Sequence, residues 1–225
     1  MKELTILMPC LNEAESLSFA IEEAKVFIEE SKIDSEILIA DNGSDDGSID
    51  IAKEHGARVI HVPVRGYGSA LRAGIEASEG KYIIMGDSDG SYDFYHLYDF
   101  VDKLREGYSL VMGNRFKGGI EKGAMPLSHR YLGVPVLSLM GRLRYKTNIG
   151  DFHCGLRGFN KEKALALELK TDGMEFATEM IGAFVKAKEP ICEVPTILRP
   201  DKRSGHSKLR PIRDALRHIK FMLTK

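Results

Sequence analysis

The chain has 225 residues, of which 29% are charged and 43% hydrophobic, and a formal net charge of −1. That is the balance of a soluble globular protein with one large domain and a sizeable core. The three scattered cysteines, Cys10, Cys154 and Cys192, point away from a disulfide framework or a zinc site and toward a reducing cytosol. No apolar run reaches the roughly 18 residues needed to span a bilayer.

Charge is unevenly distributed. From Arg199 to Lys225 there are nine Lys and Arg against two Asp (net +7), leaving 23 basic and 31 acidic residues before it (net −8). A basic tail on an acidic body suggests an anionic partner for the tail.

Met1-Lys-Glu runs straight into a strand at Leu4–Met8, so no signal peptide is expected. Asn12-x-x-Glu15 has the form of a capping box, followed by Leu17, Ile21, Ala24 and Ile28 on one helical face. Strands are predicted at Glu36–Ala40, Ala57–Val62, Lys81–Gly86 and Tyr108–Gly113. Between them come helices near Ile49–His55, over Ala70–Ala77 and around Leu97, Phe100, Val101 and Leu104, the last closed by Gly107. Such alternation predicts an α/β fold with a mostly parallel sheet and helices on both faces. Beyond Gly113 the alternation fails. A Gly-rich loop (Lys117–Gly123), a helix near Leu132–Arg144 and a turn-rich stretch (Asp151–Phe159) come first. A helix marked by Phe176, Met180 and Phe184, a strand at Ile191–Ile197 and a basic loop at Pro200–Arg210 follow. Pro211 suits the first position of a final helix. There Ile212, Ala215, Leu216, Ile219 and Leu223 share a face, while Arg213, Arg217 and Lys220 lie mainly on the other. Such a helix either rests on an anionic membrane or packs on its own domain.

Ligands of parallel sheets bind beyond the carboxyl ends of the strands. Pro9–Glu13, Asp41–Asp46 and Asp87–Asp89 all fall there, so one crevice should collect them. Asp87 and Asp89 at the end of a buried strand can hold Mg²⁺ or Mn²⁺ with positions left for a diphosphate; a plain Asx turn is the competing reading. Arg65-Gly-Tyr-Gly-Ser69, through Arg65 and the Gly68 backbone, is a second turn suited to phosphate; a simple helix start is the competing reading.

Together, Met8-Pro-Cys-Leu-Asn-Glu13, Asp41-Asn-Gly-Ser-Asp-Asp-Gly-Ser48 and Asp87-Ser-Asp89 resemble the nucleotide-sugar half of family 2 glycosyltransferases. Gly113-Asn-Arg115, Asp151-x-x-Cys-Gly-Leu-Arg157 and Ser204-Gly-His-Ser-Lys208 resemble the dolichyl- or polyprenyl-phosphate sugar synthases among them. The resemblance implies a GT-A fold with a donor half (1–113), an acceptor half (114–198) and a basic loop and helix (199–225). It places Pro9, Asn12, Glu13, Asp41, Arg65, Gly68, Asp87 and Ser88 on the nucleotide sugar, and Mg²⁺ or Mn²⁺ on Asp87 and Asp89. Arg115, Arg130, Arg157, Arg203, Ser207 and Lys208 are its candidates for the acceptor phosphate, with Asp89, Arg115 and Glu179 in catalysis. Two departures stand out: Ser91 where relatives often carry Gln, with Asp93 two further on, and Lys202 at the spacing of a loop arginine.

The implied activity is inverting transfer of a hexose from UDP-glucose or GDP-mannose to polyprenyl or dolichyl phosphate. The enzyme would be peripheral at the cytoplasmic face of a membrane, reached by the basic C-terminal helix, with no nucleic acid as partner and homo-oligomers left open. A transferase acting on a glycan, with weight on Glu175 and Glu179, and a non-catalytic nucleotide- or membrane-binding module are the alternatives.

Overall fold

The computed structural model describes residues 2–203 and 211–224. Strand β1 (Lys2–Cys10) leads to α1 (Leu17–Ser31), β2 (Ser35–Asp41), α2 (Ser48–Glu54), β3 (Arg58–His61), α3 (Tyr67–Ala77) and β4 (Gly80–Met85). Then come α4 (Tyr98–Arg105), β5 (Leu110–Asn114), the single turn α5 (Arg115–Gly118) and β6 (Gly119–Ile120). A π-turn (His129–Gly133) runs into α6 (Val134–Tyr145), followed by β7 (Arg157–Asn160), α7 (Lys161–Ala166), α8 (Phe176–Lys186), β8 (Ile191–Leu198) and α9 (Pro211–Thr224).

The strands form one sheet in the order β3-β2-β1-β4-β7-β5-β8-β6. All pairings are parallel except those of β7, which is antiparallel to both β4 and β5. The expected mostly parallel α/β sheet is therefore present. Strand β1 shows why its sequence is a continuous apolar run. Leu4, Ile6 and Met8 join a core with Leu17, Ile21 and Phe27 of α1, and Leu7 joins a second core with Leu71 and Ile75 of α3. A strand buried on both faces needs apolar residues at every position. The order reverses between β1 and β4, and a crevice opens at the carboxyl ends of strands at such a point.

Three readings of the sequence change. The stretch read as turns up to Phe159 ends in β7, whose Arg-Gly-Phe-Asn has little apolar signal and is held by pairing on both edges. The capping box does not form. Asn12 adopts a left-handed φ of 55° and pairs with Asp45, and α1 starts only at Leu17, after Ser16, whose side chain makes no capping bond. Helix α9 turns Asp214, His218 and Met222 inward and leaves Leu216 and Leu223 exposed, so its apolar residues do not form one buried face.

Helix α9 packs against α6 and α8. Its His218 bonds Thr178 at 2.8 Å and meets the His153 ring edge-on at 4.5 Å. Burial lowers the His218 pKa to about 4 from 6.5 and pushes that of His153 well below 6.5. The stability contributed by a neutral buried His218 is complete above about pH 6.5 and drains away as pH falls toward 4, because the unfolded chain takes the proton first. At about 1.4 kcal/mol per unit, the loss reaches about 2 kcal/mol at pH 5. Melting curves between pH 7.5 and 5 should show this, and His218→Gln should flatten the slope. An unchanged slope in that variant would assign the acid sensitivity elsewhere.

Candidate active site

The crevice holds a cavity of about 260 Å³ lined from three strand ends: Pro9, Cys10 and Glu13 after β1, Asn42 after β2, and Asp87, Ser88 and Asp89 after β4. Arg65, Tyr67, Met174 and Arg203 close its sides. Hydrogen bonds between the loops fix this convergence. Ser88 Oγ donates to the Pro9 carbonyl at 2.9 Å, tying β4 to β1, and Glu13 N donates to Ser48 Oγ at 2.9 Å. Asn42 Nδ2 donates to the carbonyls of Val62 and Val64 at 3.0 and 2.8 Å, and its Oδ1 accepts from Gly66 N at 2.7 Å.

Asp87 carries the strongest electrostatic signature. Burial first, then the charge of Asp89, raises its carboxyl to about 7, although a hydrogen bond from Tyr67 and the charge of Arg203 oppose the shift. The Tyr67 hydroxyl is itself pushed well above its usual value by burial and by Asp87. Two carboxylates thus sit together, Asp89 against Arg203 and the buried Asp87 against Tyr67, and their mutual repulsion suits a divalent cation. Among the described residues no group of three or more His, Cys, Asp or Glu could hold a metal ion.

Two arginines face this charge. Arg203 contacts Asp89 at 3.0 Å, Glu13 at 3.3 Å and Asp201 at 2.8 Å. The resemblance places it on the acceptor phosphate, but here it lies against the carboxylates of Glu13, Asp89 and Asp201. Arg65 is exposed at the rim, its guanidinium beside Gly43, and makes no ion pair among the described residues. The Gly68 and Ser69 amides after it are not available for a phosphate. Gly68 N and Ser69 N both donate to the Asp172 carbonyl, at 2.9 and 3.3 Å. Gly66, at φ 146°, and Gly68 leave room for that loop, since a Cβ on either would collide with the Asp172 or Thr171 carbonyl. Gly68 is therefore a packing residue, in place of the phosphate contact expected of it.

Other residues expected on the nucleotide are also engaged elsewhere. Asp41 is fully buried, accepting from Gly43 N and Ser44 N at 3.1 Å each and meeting His61 at 3.3 Å. Burial works to raise its carboxyl, but these bonds outweigh it and hold the group below the usual range. Asn12 is exposed, exchanging bonds with Asp45 at 2.8 and 2.9 Å. Both shape the loops around the cavity without lining it. Asp93, two residues beyond Ser91, bonds Tyr95 N and His96, both at 2.9 Å.

The residues expected on the acceptor side scatter. The Arg115 guanidinium is buried in a two-pronged pair with Asp151, at 2.7 and 2.8 Å. Arg157 is fully buried and spends its donors on the carbonyls of Cys154, Ala177 and Phe152 at 2.9, 2.6 and 3.0 Å. Both hold the 151–156 turn in place of presenting a cation to a cavity. Arg130, in the π-turn, is half-buried and stacks near Tyr131, 5.5 Å from the ring centre. Glu179 accepts from Lys170 N at 3.1 Å and from Thr171 N and Oγ1 at 2.9 and 2.6 Å. It anchors the loop that carries Asp172 and Met174, and it does not line the cavity. Glu175 pairs with Arg217 at 3.4 Å. Ser207 and Lys208 lie outside the described residues.

Asn42, Tyr67 and Met174 line the cavity without having been expected there. Asn42 could have been suspected from its place beside Asp41, and Tyr67 as an aromatic between two glycines. Met174 carries no local signal, because its loop reaches the cavity only by docking on α3.

A mostly parallel sheet that gathers paired carboxylates and arginines at its point of reversal is the GT-A architecture of nucleotide-sugar-dependent transferases. Solved structures share the fold. Glucosyl-3-phosphoglycerate synthase from Mycobacterium tuberculosis, in complex with Mn²⁺ and UDP-glucose, superimposes with a TM-score of 0.74 at 22% identity, covering 99% of this chain and 78% of that one. The chain belongs to glycosyl transferase family 2, which it matches over residues 5–166. The low-salt glycan biosynthesis hexosyltransferase Agl6 of Haloferax volcanii is 36% identical over 221 residues, and this chain spans about half of it: 98% of the chain against 53% of the relative. A dolichyl-phosphate hexose transferase of the same organism is 28% identical, covering 93% of the chain and 87% of the relative.

Proposed function

We propose that this chain transfers a hexose from a nucleotide sugar, UDP-glucose or GDP-mannose, to a polyprenyl or dolichyl phosphate at the cytoplasmic surface of a membrane, with inversion at the anomeric carbon. The observation that carries the reading is the joint placement of Asp87, Asp89, Arg65 and Arg203 around one cavity at the sheet's point of reversal. The similarity to a dolichyl-phosphate hexose transferase supports the acceptor.

Asp87 and Asp89 would hold Mg²⁺ or Mn²⁺, whose Lewis acidity stabilises the charge on the departing nucleoside diphosphate. Arg65, at the rim, and Arg203, beside Asp89, offer planar donors to diphosphate oxygens. An oxygen of the lipid phosphate forms a bond to the anomeric carbon as the bond to the diphosphate breaks. The electron pair leaves with the nucleoside diphosphate. A phosphomonoester with a second pKa near ~6 is already largely a dianion at neutral pH and needs no strong base. The orientation of Glu179 toward Thr171 agrees with that, since the glycan-acceptor alternative wants a carboxylate base on α8.

The test is a panel of UDP- and GDP-sugars incubated with Mg²⁺ or Mn²⁺ and a short polyprenyl phosphate, with sugar-lipid followed by mass spectrometry. One donor should give product, and Asp89→Ala should lose it. Metal-dependent donor binding without lipid product would overturn the acceptor; no binding of any donor would overturn the enzyme.

A further inference from the structure

No helix among the described residues is long and apolar enough to cross a membrane, yet one face of the molecule is unusually apolar. Leu132, Val136, Leu139 and Leu143 recur at spacings of four, three and four along the π-turn and α6, which sets them on one stripe. Their exposures are 65, 45, 47 and 72%. Leu127 and Tyr131, 71 and 70% exposed, extend the stripe at its start. The opposite face of α6 is the packed one: Ser138, Gly141 and Tyr145 are buried, with Gly141 against the Phe152 ring. Core packing is therefore satisfied without the outer leucines, and a contiguous exposed apolar patch of this kind marks an interaction surface.

Charge identifies the occupant. Residues 122–150 contain five Lys and Arg (Lys122, Arg130, Arg142, Arg144 and Lys146) and no Asp or Glu, in a chain whose overall charge is −1. Arg142, Arg144 and Lys146 are exposed at the C-terminal end of the stripe. A second copy meeting this face across a two-fold axis would bring like charges together. An anionic bilayer accepts both parts, with leucines among the acyl chains and cations at the headgroups.

We propose that α6 is the membrane-docking face of this protein and seats Leu132, Val136, Leu139 and Leu143 in the interface of an anionic bilayer. Helix α9, expected from the sequence to make this contact, supplies cations at Arg213 and Lys220, but among its described side chains only Leu216 and Leu223 are strongly exposed apolar groups, seven residues apart, against the four of the α6 stripe. The proposal deepens the membrane part of the function above and is independent of its donor and acceptor.

The experiment is co-sedimentation of the full chain with vesicles of phosphatidylglycerol and phosphatidylcholine, against phosphatidylcholine alone, without polyprenyl phosphate or donor. Wild type should bind the anionic vesicles. Leu139→Gln with Leu143→Gln should weaken binding by about tenfold or more, since two immersed side chains are removed, with circular dichroism unchanged. Arg142→Gln with Lys146→Gln should weaken binding and reduce its salt dependence. Wild-type binding by the leucine variant, with loss only in Arg213→Gln/Lys220→Gln, would assign docking to α9 and overturn the proposal. So would no binding to either vesicle, or a dimer in gel filtration that the leucine variant dissociates. A failed donor panel would leave this result standing, and failed vesicle binding would leave the panel's result standing.

Discussion

Replacing Asp87 with asparagine is expected to abolish sugar transfer and, at the same time, to raise the melting temperature. The two effects share one cause. Burial and the neighbouring charge of Asp89 raise the Asp87 carboxyl from 3.8 to about 7. For an acid raised in the fold, stability is highest at low pH and is lost as pH climbs from about 4 to 7, because the unfolded chain gives up its proton first. Above pH 7 the native state therefore holds a carboxylate that destabilises it. Asparagine removes the charge and can still accept from Tyr67, so a gain on the order of 1 kcal/mol is expected, the usual sign when a strained functional group is neutralised. Transfer should fall by about a thousandfold or more, since Lewis-acid stabilisation of a diphosphate leaving group is worth several kcal/mol.

Asp89 occupies an equivalent place in the motif but not in the energetics. Its carboxylate is paired with Arg203 at 3.0 Å and accepts from Ser91 N at 3.0 Å. Asp89→Asn should likewise abolish transfer, with a neutral or lower melting temperature. Calorimetric melts of both variants at pH 7.5, with turnover on the donor found in the panel, check this. Equal losses of stability in both would mean that Asp87 is a structural carboxylate. Full activity in Asp87→Asn would remove it from the site.

The first strands of the sheet were legible because each is a buried apolar run between turn residues, as in Lys81–Gly86 and Glu36–Ala40. The convergence of Pro9–Glu13 and Asp87–Asp89 followed from sheet topology alone, and Ser88 bonded to Pro9 shows it as contact. Less legible was what each polar side chain bonds. A sequence gives Arg115 and Arg157 as cations; it does not give Asp151, 36 positions away, or the three carbonyls that consume Arg157. The Gly66–Ser69 turn reads as a phosphate cradle until the Asp172 carbonyl arrives from α8's leading loop. Strand β7 was hidden for a related reason: its four residues are selected by two neighbouring strands, and local β-propensity contributes little.

The buried pair of Arg115 and Asp151 yields the largest expected stability effect. Both side chains are almost inaccessible, and the carboxylate takes Arg115 Nε, Nη2 and main-chain N at 2.7, 2.8 and 3.2 Å. Burial alone would depress the arginine, but the nearby Tyr92 and Asp151 outweigh it and hold the guanidinium charged well above its usual range. Removing one partner strands a buried charge, so Asp151→Ala should cost about 3–5 kcal/mol. Removing both charges together, as Arg115→Met with Asp151→Asn, should cost substantially less, because the desolvation penalty disappears with the attraction. Glu193 strengthens the expectation, since its carboxylate accepts from Gly150 N and Asp151 N at 2.7 and 3.1 Å and holds the turn from the far side. Urea denaturation of wild type, the single and the double variant measures the coupling, and additive losses would refute it. The same double variant separates positioning from phosphate binding. If Arg115 only braces the 151–156 turn, nucleotide-sugar affinity and the lipid phosphate KM should change little once folding is restored. A lipid KM raised by about tenfold or more, with donor affinity intact, would instead place the guanidinium on the acceptor phosphate after a rearrangement of the turn.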